Sequence, residues 1–220
     1  MNRHFQSCAA SLLLAVSACL HAAEEPTPSE PPVNKDIATA IAKGDVDDVK
    51  RHAAADPSCL NPKDPKARAP LDLAILRNKT DIVILLLSLK ADPDRKDGSM
   101  STPLHHAVTR NNPKVITALL KAGAKPNERD KSGWTPLHHA AAKNQLETTQ
   151  ALLDGGANPT TLSALGGTPL HEAAPGGSKE LIMLLLKTKI DPSVRSKQGV
   201  TALDLAKEHK NQVAIDLLSN

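Results

Sequence analysis

Thr102-Pro103-Leu104-His105-His106-Ala107 decides the fold, because the chain returns to it again and again. Ala69 to Ala74 (APLDLA) precedes it, and Thr135 to Ala140 (TPLHHA), Thr168 to Ala173 (TPLHEA) and Thr201 to Ala206 (TALDLA) follow. The starts at 69, 102, 135, 168 and 201 are 33 residues apart every time. One hexapeptide match carries little weight. Five at an unbroken period are the signature of a stacked repeat protein.

Each unit reads as two short helices. Thr102, Thr135, Thr168 and Thr201 suit an N-cap, where a hydroxyl meets an otherwise unpaired helical N–H. Pro103, Pro136 and Pro169 fall on the first helical position, where the missing N–H is harmless. Leu and Ala three apart then give the first helix one apolar stripe. In the second helix the apolar positions form columns: Val83, Ile116, Ile182 and Ile215, and Leu86, Leu119, Leu152, Leu185 and Leu218. Ile82 to Leu87 is apolar all round, which predicts burial between neighbouring units, since it is far too short to span a bilayer. Prolines 93, 126, 159 and 192 are predicted to end the second helices. Asp97 and Asp130 begin the turn back, and Gly133, Gly166 and Gly199 supply its permissive backbone.

On these motifs the sequence resembles the ankyrin-repeat family over about residues 37–220. The resemblance implies an all-α solenoid of stacked helix–turn–helix units with short β-hairpin-like turns. It would comprise an N-terminal capping unit at 37–63, full units at about 64–96, 97–129, 130–162 and 163–195, and a C-terminal capping unit at 196–220. Polar outer faces at both ends agree with what a one-dimensional stack needs for solubility. The resemblance also implies that partners bind along the turn tips and the exposed side of the first helices. His105, His138 and His171 would be structural, bonded to the capping threonine and neighbouring turns. Departures from the pattern are local. Lys90 and Lys189 stand where Gly123 and Gly156 cap other second helices, a strained choice if the cap is left-handed. Met100 replaces a turn glycine, and Pro175-Gly176-Gly177 predicts a shortened first helix or a bend.

The chain ahead of the repeats has a different character. Residues 1–23 combine a basic start at Arg3 and His4 with an apolar stretch from Ala9 to Leu20, the layout of a secretory signal peptide. Val16-Ser17-Ala18-Cys19 also fits a lipoprotein box, in which the signal would end at 18 and Cys19 would carry lipid. The rival is ordinary cleavage near Ala22 or Ala23. Residues 24–36 carry four prolines and an excess of acid and read as an extended linker. Either cleavage leaves Cys59 as the remaining cysteine, so packing rather than a disulfide must hold the fold. The expected location is the periplasm, with an outer-membrane lipoprotein or a secreted protein as alternatives.

Composition limits the function. Aromatics are Phe5 and Trp134, with no tyrosine, which excludes base-stacking platforms and aromatic cages. A net charge of +3 is far below that of a DNA-binding domain, so no nucleic-acid partner is expected. There is no G-x-S-x-G elbow, no phosphate-cradling loop and no set of partners for Cys59, so the expected protein is a non-enzymatic binding scaffold without cofactor or metal. It is expected to be monomeric and to meet a membrane only through a lipid on Cys19.

Surface information remains in two basic columns at the repeat spacing. One is Lys63, Lys96, Arg129 and Arg195, broken by Leu162; the other is Arg77, Arg110 and Lys143. Residues 37–220 hold 25 Lys+Arg against 20 Asp+Glu, which favours a partner with an acidic surface. Trp134 lies in line with Arg68 and Ser101, and Trp and Arg are enriched among binding hot spots. The expected contacts are therefore Arg68, Arg77, Arg110, Lys131, Trp134, His139 and Lys143, on an assembly factor for another exported protein or an inhibitor of one. Two other classes stay open: a small-ligand or metal carrier using His106, His139 and Glu172, and a secreted host-directed effector.

Overall fold

The computed structural model describes residues 34–62 and 68–219. The signal and lipidation readings, most of the Pro/Glu-rich linker and Lys63 lie outside the described residues. Among the described residues there are twelve α-helices and no strand, and no helix is long and apolar enough to cross a membrane.

The helices come in six consecutive pairs. They are α1 (Ile37–Lys43) with α2 (Val46–Ala55), α3 (Pro70–Leu76) with α4 (Thr80–Ser88), and α5 (Pro103–Thr109) with α6 (Pro113–Lys121). Then come α7 (Pro136–Ala142) with α8 (Leu146–Asp154), α9 (Pro169–Ala173) with α10 (Lys179–Leu186), and α11 (Ala202–Glu208) with α12 (Gln212–Leu218). First helices pack on first helices and second helices on second helices down the whole stack, which gives two layers. Helices of five to ten residues would be marginal alone, so tertiary packing sustains them. Asn34 and Asp36 also belong to this packing. Asp36 caps α1, while the N–H and Nδ2 of Asn34 donate to the buried carboxylate of Asp48 at 2.9 and 2.7 Å.

The core is aliphatic because its columns are. Val83, Ile116 and Ile182, and Leu86, Leu119, Leu152 and Leu185, are all fully buried. Ile215 and Leu218 are half-buried in α12, the last of the described helices, which has a neighbouring second helix, α10, on one side. Ile82, Val83 and Leu86 are buried as expected, but Ile84 is 52% exposed on the outer side of α4. The all-apolar run is thus only partly covered, because a helix sandwiched on two sides still turns one face outward.

Three polar seams tie each unit to the next. At the helix–helix loops, Asn78, Asn111 and Asn144 take the left-handed conformation, which asparagine tolerates. Asn112 Nδ2 donates to Asn78 Oδ1 (2.7 Å), Thr148 Oγ1 to Asn111 Oδ1 (2.8 Å), and the Ser178 N–H to Asn144 Oδ1 (2.9 Å). After the second helices, Asn61, Asp94 and Asn127 accept backbone N–H groups of Asp92, Lys125 and Asn158. At the turns, the Lys131 N–H donates to the Ser99 carbonyl and the Lys197 N–H to the Leu165 carbonyl, both at 2.9 Å.

Two expectations about helix ends change. The four prolines do not end the second helices; α4, α6 and α8 stop five residues earlier and α10 six. Lys90, Gly123 and Gly156 end the first three in the left-handed region, and the N–H of the next residue returns to the helix, as from Ala91 to Leu86. Lys90 therefore carries the strain expected of a non-glycine cap (φ 67°), but Lys189 escapes it. There the Thr188 hydroxyl accepts the Ile190 N–H, so α10 ends without a left-handed residue at 189. Met100 does sit in the glycine conformation of its turn, at φ 58°. The Pro175-Gly176-Gly177 break shortens α9 to five residues where its counterparts have seven. Gly177 is needed there, because a Cβ would lie 2.6 Å from the Ala173 carbonyl oxygen.

Candidate functional site

The face carried by the first helices and turn tips is built by the repeated histidine. In α5 the Thr102 N–H donates to His105 Nδ1 (3.1 Å), and the Thr102 hydroxyl lies 2.9 Å from the same nitrogen. An accepting Nδ1 leaves the proton on Nε2, which donates to the Trp134 carbonyl in the next turn at 3.1 Å. His138 repeats this with Thr135 and the Gly167 carbonyl, and His171 with Thr168 and the Val200 carbonyl. One side chain thus caps its own helix and holds the following unit. Burial pushes His105 and His138 down to about 4, so both imidazoles are neutral at pH 7. In the last pair Asp204 does the capping with Thr201, and at α3 Asp72 faces Ala69, which offers no hydroxyl. Burial pushes Asp72 up to about 6, with the Arg95 guanidinium 3.9 Å away.

A second row follows one residue later. His106 Nε2 lies 3.1 Å from Asp97 Oδ2, and His139 Nε2 lies 2.7 Å from Asp130 Oδ2. Each turn aspartate also accepts backbone N–H groups, from Ser99 and Ser101 or from Ser132 and Trp134. Nothing in the sequence patterns considered above paired these residues, although both pairs are nine apart. Ser163 and Glu172 take the same places in the fourth full unit. The three members proposed for a carrier are thus in register, but His106 and His139 each bond within their own unit.

Glu172 is half-buried, and burial pushes its carboxyl up to about 7. A group held above its unfolded value of about 4.5 adds stability below that value, and this stability is lost as pH rises through 7. Allowing for its partial exposure, unfolding free energy is expected to drop by about 1–2 kcal/mol across that window from this group alone. Urea midpoints at pH 5 and pH 8 check this: Glu172→Gln should remove that part of the difference, and an unchanged difference would sink the assignment.

The predicted contact residues separate into two places. Arg77, Arg110 and Lys143 are the C-caps of α3, α5 and α7, all exposed, and none forms an ion pair among the described residues. Cations there also complement the negative end of each helix. The column stops at Gly176, where α9 is cut short. Lys131, Trp134 and His139 lie instead toward the turn end of one unit, and Arg68 holds the Trp134 position two units earlier. Arg68 and Lys131 are exposed; Trp134 and His139 are half-buried, with ring centroids 4.9 Å apart. Trp134 serves packing as well as exposure, since its backbone joins Asp130 and His105 while its indole leans on His139.

The rival basic column is partly neutralised within the protein: Lys96 pairs with Glu128 at 2.7 Å, and Arg195 reaches the Gly199 carbonyl and Asp204. Met100, Leu162 and Leu165 are exposed apolar side chains on the turn side, at 48%, 42% and 60%. Position in the repeat placed the first two there, but only the coordinates show how far they protrude.

Family models describe the same units. Residues 71–163 match a model of three ankyrin repeats, and residues 165–197 match a single ankyrin repeat, together more than half of the chain. The chain belongs to the ankyrin-repeat family. No curated protein matches it closely enough to add a relative. Ankyrin-repeat proteins are generally non-enzymatic interaction modules, which supports a scaffold for protein–protein interaction here.

Proposed function

We propose that this ankyrin-repeat protein is exported and holds an acidic protein partner against the first-helix face, as an assembly factor or inhibitor of another exported protein. One observation carries the reading. Arg77, Arg110 and Lys143 cap three consecutive first helices, are exposed, and have no ion-pair partner among the described residues. The turn carboxylates nearby are already occupied, Asp97 by His106, Asp130 by His139 and Glu128 by Lys96. The face therefore has unpaired positive charge to offer, while Glu128 is matched by Lys96 and the two aspartates are held by histidine and backbone N–H groups. Lys131, Arg68, Trp134 and His139 extend the contact toward the turns. Export rests on residues 1–23, and the intact mass of the mature protein tests both the cleavage site and a lipid on Cys19.

The test is binding of a partner recovered with the wild-type protein, measured by calorimetry. Arg77→Gln/Arg110→Gln/Lys143→Gln is expected to weaken it about 100-fold, at roughly 1 kcal/mol per charge. Glutamine is chosen because glutamate would also oppose the helix dipole and perturb folding. Unchanged affinity in a variant with wild-type thermal stability would refute the basic-face reading.

A further inference from the structure

At one seam of the stack the two histidine rows converge. His105 from α5, His139 from α7 and Asp130 from the turn before α7 each offer one ligand atom, and the three atoms lie within 4.8 Å of one another. Among the described residues this is the one such group of three histidine, cysteine or acidic side chains. We propose that His105, Asp130 and His139 bind a zinc ion that bridges the second and third full units.

Two imidazole nitrogens and one carboxylate oxygen are a ligand set that zinc accepts in tetrahedral geometry, with a fourth position left for water or a partner's side chain. The surroundings orient these ligands. Asp130 Oδ1 is held by the N–H groups of Ser132 (2.9 Å) and Trp134 (3.0 Å), which leaves Oδ2 for His139. Burial raises the Asp130 carboxyl, but the bonds from His139 and the Trp134 N–H outweigh it, so the group stays an anion. His139 is half-buried and makes no other side-chain hydrogen bond, so it can part from Asp130 by the fraction of an ångström that an ion between them requires.

His105 bears the cost. Ligation through Nε2 moves its proton to Nδ1, which then donates to the Thr102 hydroxyl 2.9 Å away, the outer-shell contact that a metal-bound imidazole uses. The Thr102 N–H loses its acceptor, and the Trp134 carbonyl oxygen, 3.1 Å from Nε2 on the side the ion would occupy, must move aside. The neighbouring seams lack the set. One unit earlier, Asp72 replaces His105 and already has the Arg95 guanidinium beside it. One unit later, Ser163 stands in place of Asp130.

Trp134 reports on the site, since its ring lies 4.9 Å from that of His139 and it is the only tryptophan in the chain. Zinc chloride is titrated into the full chain, followed by calorimetry and tryptophan emission, with melting temperature measured at saturation. One ion bound per chain, a change in emission, and a rise in Tm of about 5 °C are expected. His139→Ala should abolish all three. Asp130→Asn, whose amide oxygen can still hold the turn, should weaken binding at least about tenfold. His106→Ala, the equivalent position one unit earlier, should bind zinc as the wild type does. Absence of any response overturns the proposal, and so does zinc binding that survives His139→Ala. No partner protein enters this experiment, so its failure would leave the partner-binding reading untouched.

Discussion

Replacing His138 with alanine is expected to lower the unfolding free energy by about 3 kcal/mol, although the residue is polar and its helix only seven residues long. His138 is fully buried and bonds in two directions. Its loss strands the Thr135 N–H, which has no other acceptor among the described residues, at about 1–3 kcal/mol for a buried donor. The Gly167 carbonyl loses one of two donors but keeps the Ser163 N–H at 2.8 Å, so it adds less. The space left by the imidazole supplies the rest. His138→Asn separates the two roles: a short amide at that position can reach back to the cap but not across to the next turn, so about half the loss is expected. Urea unfolding measures both variants, with His209→Ala at an exposed C-cap as a control expected within about 0.5 kcal/mol of wild type. A loss below about 1 kcal/mol for His138→Ala would show that the histidine seam does not hold the stack together.

A core substitution should depend on where in the stack it falls. Leu119 is fully buried in α6, between Leu86 of α4 and Leu152 of α8, which are fully buried too. Leu119→Ala is expected to cost about 2–5 kcal/mol, because neighbours on both sides are fixed and cannot collapse into the cavity. Leu218 occupies the same column in α12, the last of the described helices, and is half-buried. Leu218→Ala should therefore cost about 1 kcal/mol. The contrast is the informative quantity in a one-dimensional array, where each unit draws stability from its neighbours. Equal losses at the two positions in urea unfolding would contradict the column arrangement.

Much of this was legible in residue order. The period of 33 located the starts of five first helices, α3, α5, α7, α9 and α11, threonine–proline pairs marked three of them, and the Pro-Gly-Gly run marked the short helix. These signals are local: a cap, a ring-locked φ and a missing Cβ act on their own few residues. The helix ends were misjudged for the same reason. Proline marked where a helix could not continue, but the chain stops five or six residues earlier, at caps set by Lys90, Gly123, Gly156 and the Thr188 hydroxyl. Ile84 shows the limit for burial, because the pattern identifies apolar residues and not which of them a neighbour covers.

The candidate site was less legible. Spacing put Arg77, Arg110 and Lys143 in register and Lys96 in register with Arg129, but both columns looked alike. The difference lies in Glu128, which comes from the next turn to neutralise Lys96, while among the described residues no carboxylate pairs with the C-cap column. His106, His139 and Glu172 looked like a possible carrier set because they share a repeat position. Folding gathers His105, Asp130 and His139 instead, since stacking brings position 105 of one unit against the turn of the next.

By itself, then, the sequence determined the architecture: a repeating unit, its helix starts, its aliphatic columns and the register of its surface charges. Those properties follow from backbone chemistry and periodicity along one chain. Tertiary structure alone decided which charges remain unpaired, how the lone Trp134 divides itself between packing and exposure, and which histidines meet an aspartate. The first of these and the approach of His105 to the next turn depend on contacts across the seam between units, where residues about 29 to 37 apart in the chain come within hydrogen-bonding distance. His106–Asp97 and His139–Asp130, by contrast, close within one unit.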